Sequence, residues 1–307
     1  MSAHYLTHLE DISFTGRVLG IGTTPPRRAP LALRFDFKRI NLLDARELGS
    51  LIRVAQPRVC VHLAAMSSVA DSWSQPNESF VNNTNIFLNL IEAIKKYSPE
   101  TRVLSIGSSE QYGVKEKPTL PLTELESMEP VSPYGAARCA QEWLGKAYVA
   151  GYGLDVVMTR SFNHIGPYQD PRFVLSRFAR AFAEAISKDK KVVKLVAGNL
   201  DVVRDFVDVR DVVNAYEAIL HGAKSGDVFN VCTGQGTRLI DAIDHLSTVS
   251  GLKTDIKIDQ SLMRPIESTA VIGSHEHVTT TLGWRPLISL QQSLQDLLAY
   301  WVKMLAQ

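Results

Sequence analysis

Cysteine is scarce in this chain, with three in 307 residues. Cys60, Cys139 and Cys232 lie far apart and each sits in an apolar run, so the sequence predicts buried free thiols in a reducing, cytoplasmic compartment. Long apolar runs are missing as well. None approaches the ~18 residues that a membrane span needs, and the front lacks the basic-then-apolar pattern of a signal peptide. Neither sign of charge is in excess: the formal charge is +1, with Lys and Arg scattered along the chain. No basic field for nucleic acid is built in. Internal repeats and low-complexity segments are absent too. What is present is an ordinary globular composition, 45% apolar and 21% charged, at a length that suits one large α/β domain or a large domain with a smaller lobe.

The first eleven residues have helical spacing, with Tyr5, Leu6 and Leu9 on one face. Residues 17–22 form a short apolar strand that ends at Thr23-Thr24 and enters a Pro and Arg loop. Asp44 stands where a helix through Val54 needs a cap. Residues 58–65 are a continuous apolar run, the pattern of a parallel strand covered on both faces. Next come a helix over 80–97, a strand over 102–107, a helix from Tyr134 to about Tyr148 and a buried strand over 155–160. This alternation predicts a doubly wound parallel sheet. After Asn163 the rhythm changes to a helix over 173–187, a short strand over 192–196 and a loop entering a strand over 201–209. A helix from Asp208 or Asp211, a strand over 228–232 and a last helix over 290–304 complete the reading. Residues 1–163 are expected to form a dinucleotide-binding domain. Residues 164–307 are expected to be mainly a smaller substrate lobe, with segments around 201–235 returning to the sheet.

Two stretches carry chemistry. Ser108 to Gly113 follows a strand, and Ser132 to Arg138 opens a helix. A tyrosine hydroxyl ordinarily ionises near pH ~10, so proton transfer near neutrality calls for a nearby cation. Arg138 lies one helical turn after Tyr134 on the same face. Ser108 could hold the same substrate oxygen, and Glu110 could add a carboxylate. The bland alternative is a helix start, a strand cap and a solvated arginine. His275-Glu276-His277 offers no third ligand and reads as a solvated surface run, so no metal site is expected. His62 and His164 are expected to be ordered by local hydrogen bonds, and Trp284 and Trp301 to lie in the core.

The sequence resembles the extended short-chain dehydrogenase/reductase family, and within it the GDP-6-deoxy-4-keto-mannose reductases and the GDP-mannose 4,6-dehydratases. The resemblance runs through His62 to Val69, Trp73 with Pro76, Asn83, Ser108 to Gly113, Ser132 to Arg138 and Arg160 to Pro167. It continues through Gly198 to Leu200, Val203 to Asp211, Asn230 to Cys232, Arg264-Pro265 and Leu282 to Pro286. Phe162 to Pro167 and Val203 to Phe206 favour the reductase branch. The resemblance implies a Rossmann-type fold, reduction of the C4 ketone of a GDP-4-keto-6-deoxy-mannose-type sugar, and a homodimer formed by helix packing. Ala137, Ala140, Leu144 and Ala147 could supply that dimer face or pack on the sheet. It implies Tyr134 as proton donor, Ser108 as its hydrogen-bonding partner, and Glu110 and Arg138 as assisting groups. Thr23, Asn41, Leu63, Ala64, Ala65 and Asn83, with Tyr134 and Arg138, fall where the family holds its cofactor. Ser67, Asn163, Asn199, Arg204, Arg264 and Glu267 fall where it holds the nucleotide sugar. For Arg204 an ion pair with Asp205 or Asp208 is an equal alternative.

Several features depart from the family pattern. The family places a lysine where Arg138 stands, and on that ground Arg138→Lys is expected to raise turnover. A first strand and its Gly-x-x-Gly-x-x-Gly loop are expected to be missing, since Met1 to Leu6 aligns with the helix after that loop. Asn41 replaces a customary aspartate. No acidic residue follows the strand over 17–22, while Arg27 and Arg28 are near, which leans to NADP with NAD as the alternative. Three functions stay open: a reductase, a GDP-mannose 4,6-dehydratase, and a non-catalytic nucleotide-sugar-binding relative with impaired cofactor binding.

Overall fold

The computed structural model describes residues 1–114, 120–263 and 266–306. It opens on α1 (Ser2–Asp11), which buries Ala3, Leu6 and Leu9. Strands β1 (Arg17–Gly22) and β2 (Arg34–Arg39) pair in parallel as a sheet of their own. The sequence reading missed β2, whose alternation in Arg34-Phe35-Asp36-Phe37 leaves every second residue exposed. Helix α2 (Ala45–Ala55) starts at Asp44, whose carboxylate accepts from the backbone N–H groups of Arg46 and Glu47.

The main parallel sheet has the order β3-β4-β5-β9, from β3 (Val59–His62), β4 (Arg102–Ser108), β5 (Val156–Ser161) and β9 (Val228–Val231). Here the structure corrects the expectation for residues 58–65. The strand stops at His62, and Val59 is 48% exposed. Among the described residues β3 pairs only with β4, so it lies at an edge of this sheet. Cys60 is accordingly only partly buried, whereas Cys139 and Cys232 are buried free thiols.

Short helix α3 (Val69–Ser74) leads into α4 (Pro76–Tyr97), which packs with α5 (Pro133–Tyr152) and α2 on one face of this sheet. Phe87, Ile91, Val103, Val156 and Met158 fill that layer. On the other face, α7 (Val209–Gly222) and α1 close over Leu104, Ile106, Val157 and Phe229. Of the two predicted starts of α7, Asp208 is the cap and accepts from Arg210 N–H.

The remaining elements build a second core. Strand β6 (Asn163–Ile165) pairs in parallel with β8 (Val203–Asp208), as does β12 (Ala270–Val271), while β10 (Gly236–Arg238) pairs with β8 antiparallel. β7 (Val192–Ala197) pairs with β11 (Lys253–Ile258). Helices α6 (Val174–Ser187), α8 (Leu239–Ser250) and α10 (Leu290–Leu305) pack Phe178, Phe182, Ile243 and Leu297 against them. Helix α9 (Glu276–Leu282) lies against α7 and β9. Trp284 and Trp301 are buried, and each indole N–H is used, on Asp211 O and Ser176 Oγ. Among the described residues no helix is long and apolar enough to cross a membrane.

Candidate active site

The site forms where β4 meets α5. β4 ends at Ser108, and Ser109–Gln111 follow as a single 3-10 turn. Ser108 caps that turn: its Oγ accepts from Glu110 N–H at 3.2 Å, while its own N–H donates to Gln111 Oε1 at 2.8 Å. The backbone thereby occupies an acceptor site on the serine oxygen and leaves the hydroxyl proton to be donated elsewhere. Helix α5 starts in the same economical way, with Ser132 Oγ accepting from Gly135 N–H at 3.0 Å and Pro133 in the first turn. Gly135 follows Tyr134 for a steric reason. A Cβ there would sit 2.6 Å from Glu110 O, so only glycine lets the first turn of α5 seat on the Ser108 turn. Tyr134 is thereby held in the protein, 7% exposed.

Arg138 is 4% exposed, which excludes the solvated reading. Its guanidinium carbon lies 5.1 Å from the centre of the Tyr134 ring. One terminal nitrogen donates to Ile106 O at 3.2 Å and to Gln141 Oε1 at 2.5 Å. Gln141 in turn donates to Ser105 Oγ at 2.8 Å and Ile106 O at 3.0 Å, so the arginine is tied to β4. His62 lies close by and packs on Phe87 at 5.3 Å. Burial, with the Arg138 charge adding to it, lowers its pKa to about 3. The expected ordering of His62 and His164 by hydrogen bonds does not hold for Nε2, which in both has no partner among the described residues. His62 is instead packed on the Phe87 ring.

Beside the turn opens a shallow cleft lined among others by Glu110, Asn163, Arg204 and Glu267. Arg204 donates to Val203 O and Ser268 O, each at 2.9 Å, and to Glu267 at 3.4 Å. Asp205 is not its partner. That carboxylate accepts from Thr233 N–H and Oγ1, Gly234 N–H and Gly273 N–H, while Asp208 takes Arg210 and Ser293. Asn163 donates to Asp205 O at 3.3 Å. Burial raises the Asp205 pKa, and these donors oppose the rise.

Other predicted residues lie outside the cleft lining. Ser67 is exposed, and Asn199 is exposed with its amide oxygen accepting from Asp201 N–H. Arg264 lies outside the described residues. Asn83 is fully buried and grips both backbone groups of Met66, at 2.8 and 3.1 Å, so it holds the partly buried Leu63-Ala64-Ala65 loop in place. Thr23 and Asn41 are exposed, and Asn41 Oδ1 is taken by Leu43 N–H. Arg27 pairs with Asp170 at 2.7 Å and Arg28 with Glu10 at 3.2 Å. Ala137 packs inward, whereas Ala147 faces out. Among the described residues no group of three or more His, Cys, Asp or Glu could hold a metal.

Sequence reading missed Gln111, Gln141 and Glu142. Gln111 was findable as the fourth residue of a Ser-x-x-Gln capping pattern, and Gln141 as a polar residue one turn after Arg138. For a nicotinamide cofactor the fit is good at this end, where the Arg138 Nε is buried and has no partner among the described residues. The guanidinium lies over the Tyr134 ring, so a polar group with acceptor oxygens suits the place.

The profile of the GDP-mannose 4,6 dehydratase family matches residues 23–297. The GDP-6-deoxy-D-mannose reductase of Pseudomonas aeruginosa is 33% identical over 92% of this chain and 91% of its own. GDP-mannose 4,6 dehydratase 2 of Arabidopsis thaliana is 30% identical over 82% and 68%. Among solved structures, that of RMD from Pseudomonas aeruginosa complexed with NADPH superposes with a TM-score of 0.82 at 30% identity, covering 97% of this chain and 95% of that one. The UDP-glucose 4-epimerase of Thermotoga maritima with UDP-glucose gives 0.88 at 26% identity, covering 98% and 95%. With a capped serine and a helix-opening tyrosine at the end of its parallel sheet, and a profile match along most of its length, the chain belongs to the GDP-mannose 4,6 dehydratase family of the extended short-chain dehydrogenase/reductases.

Proposed function

We propose that the protein reduces the C4 ketone of a GDP-4-keto-6-deoxy-mannose-type sugar with NADPH. The observation that carries this reading is the Ser108 turn seated against the Tyr134 end of α5, on the rim of a cleft lined by Glu110, Asn163 and Arg204. The nearest support is the similarity to a GDP-6-deoxy-D-mannose reductase and to an NADPH complex. A dinucleotide, when bound, would supply the hydride for C4. Tyr134 donates its proton to the C4 oxygen, and Ser108, its own acceptor site filled by Glu110 N–H, donates a hydrogen bond to that oxygen. Arg138 puts positive charge against the ring where negative charge is left after the proton departs. Arg204 faces the cleft with a fork suited to a diphosphate.

In this reading residues 1–163 bind the dinucleotide and residues 164–307 mainly the sugar nucleotide. The free thiols fit a cytoplasmic enzyme, and the outer face of α5, where Trp143 is 61% exposed, fits a homodimer. Consumption of NADPH on addition of the GDP-4-keto-6-deoxy sugar tests the reaction. Conversion of GDP-mannose to the 4-keto sugar with bound NADP would instead make the protein a dehydratase. Absence of NADPH binding at high micromolar concentration would make it a non-catalytic relative.

A further inference from the structure

The Ser108 turn is held from behind by a buried polar chain that starts at the Ser108 backbone N–H. Gln111 is fully buried. Its Oε1 accepts from Ser108 N–H at 2.8 Å, and its Nε2 donates to Glu142 Oε2 at 2.7 Å. Glu142, 3% exposed, is paired with Arg160 through Nε at 2.9 Å and a terminal nitrogen at 2.8 Å, and with Lys146 at 2.7 Å. Burial works to raise the Glu142 pKa, but the two cations outweigh it and hold the carboxyl below its ordinary value. Arg160 also donates to Glu124 O at 3.3 Å and stacks over the Tyr112 ring at 4.9 Å. The fit is tight: a Cβ on Gly107 would lie 2.4 Å from both Gln111 Oε1 and Thr159 O.

An amide can face either way, and the two ways have opposite consequences here. Turned around, the side chain would present its NH2 group to Ser108 N–H, donor against donor. A carboxylate accepts only, so Glu142 holds Nε2 and thereby aims Oε1 at the serine backbone. We propose that Gln111, oriented by the Glu142–Arg160 ion pair, is a positioning residue that fixes the Ser108 turn and aims the Ser108 hydroxyl. The chain of causes runs from a buried charge to an amide orientation, from there to the Ser108 N–H, and so to a hydroxyl whose proton points at the substrate oxygen. Only the kinetic half of the test rests on the reductase reading above.

The test compares Gln111→Met, which keeps the volume and removes both polar ends, with Ser108→Ala and with the double variant, all in the full chain. Gln111→Met is expected to lower kcat about tenfold, with KM for the nucleotide sugar changed less than about twofold. In the Ser108→Ala background the same change is expected to cost nothing further, because its effect acts through that hydroxyl. A multiplicative loss in the double variant, or an unchanged kcat in Gln111→Met, overturns the proposal. A second measurement is free of turnover. Hydrogen exchange at the Ser108 amide is expected to speed up at least about tenfold in Gln111→Met while β5 amides keep their protection. Unaltered protection of the Ser108 amide overturns the proposal even if the native chain reduces no sugar, a result that would sink the reductase reading alone.

Discussion

The Ser108 end of the main sheet and the β1–β2 pair are made of similar residue types but organised oppositely. Around Ser108 the charges are inside: in the Arg160–Glu142 pair the side chains are 4% and 3% exposed. Along β1 and β2 they are outside, with Arg17–Asp36 at 73% and 55%. Buried pairs are costly to break because one partner is left charged in a dry interior, whereas exposed pairs contribute little. The contrast shows where this chain is rigid. The Ser108 end is held by groups that cannot relax into water. The strands and the arginine loop at the other end are joined to the rest largely through surface contacts such as Arg27 with Asp170.

The sharpest way to break this comparison is at its centre. Tyr134→Phe is expected to reduce kcat about a thousandfold while nucleotide-sugar binding by calorimetry is retained; a loss of less than tenfold would remove the tyrosine from the proton step. Next in size, Arg160→Met leaves the buried Glu142 with Lys146 alone of its two cations and is expected to cost about 3 kcal/mol in urea unfolding, against less than about 1 kcal/mol for Arg17→Met. Equal costs would erase the distinction between the two regions. A third prediction uses His62, whose folded pKa is depressed to about 3 from an ordinary 6.5. The folded state keeps it neutral, so its share of stability is complete above pH 6.5 and is lost as pH falls from there toward 3. The slope approaches about 1.4 kcal/mol per pH unit for this one group. His62→Phe is expected to flatten that acid limb; an identical limb in the variant would mean that His62 is not the group titrating. The smallest effect expected is for Arg138→Lys, a severalfold rise in turnover with cofactor saturating. A rate equal to or below that of the parent would show that the guanidinium held by Gln141 and Ile106 already serves Tyr134 fully.

Most of this architecture is legible in the sequence, because strand and helix periods are local. Asp44 caps the helix that follows it, as its position implies, and Asp208 is the one of the two candidates that caps α7. The apolar run after Arg58 misled because local pattern reports what a strand can bury, and the sheet decides what it does bury. Helix α8 and β11 went unread in a stretch where apolar residues are interrupted by charge. The site divides in the same way. Ser108, Glu110 and Tyr134 are recognisable as a motif, but the inward turn of Arg138 depends on Gln141 and on a carbonyl of β4, 32 residues earlier in the chain. The partner of Arg204 was likewise beyond sequence reasoning. Glu267 reaches it across a turn 63 residues away, while the adjacent Asp205 is absorbed by backbone donors.

Tyr112, two residues past Glu110, donates its hydroxyl to Asn230 at 2.6 Å, a partner 118 residues further along the chain. Asn230 N–H reaches Glu124 at 2.6 Å, and the Asn230 amide reaches Leu122 O at 2.9 Å. During synthesis the segment that carries Ser108 therefore leaves the ribosome long before the residue that closes its knot. Contacts this distant in sequence form late, since their loop must be closed first. A nascent chain that already contains the serine and the tyrosine therefore still lacks the contacts that anchor Tyr112, which form only when β9 docks beside β5.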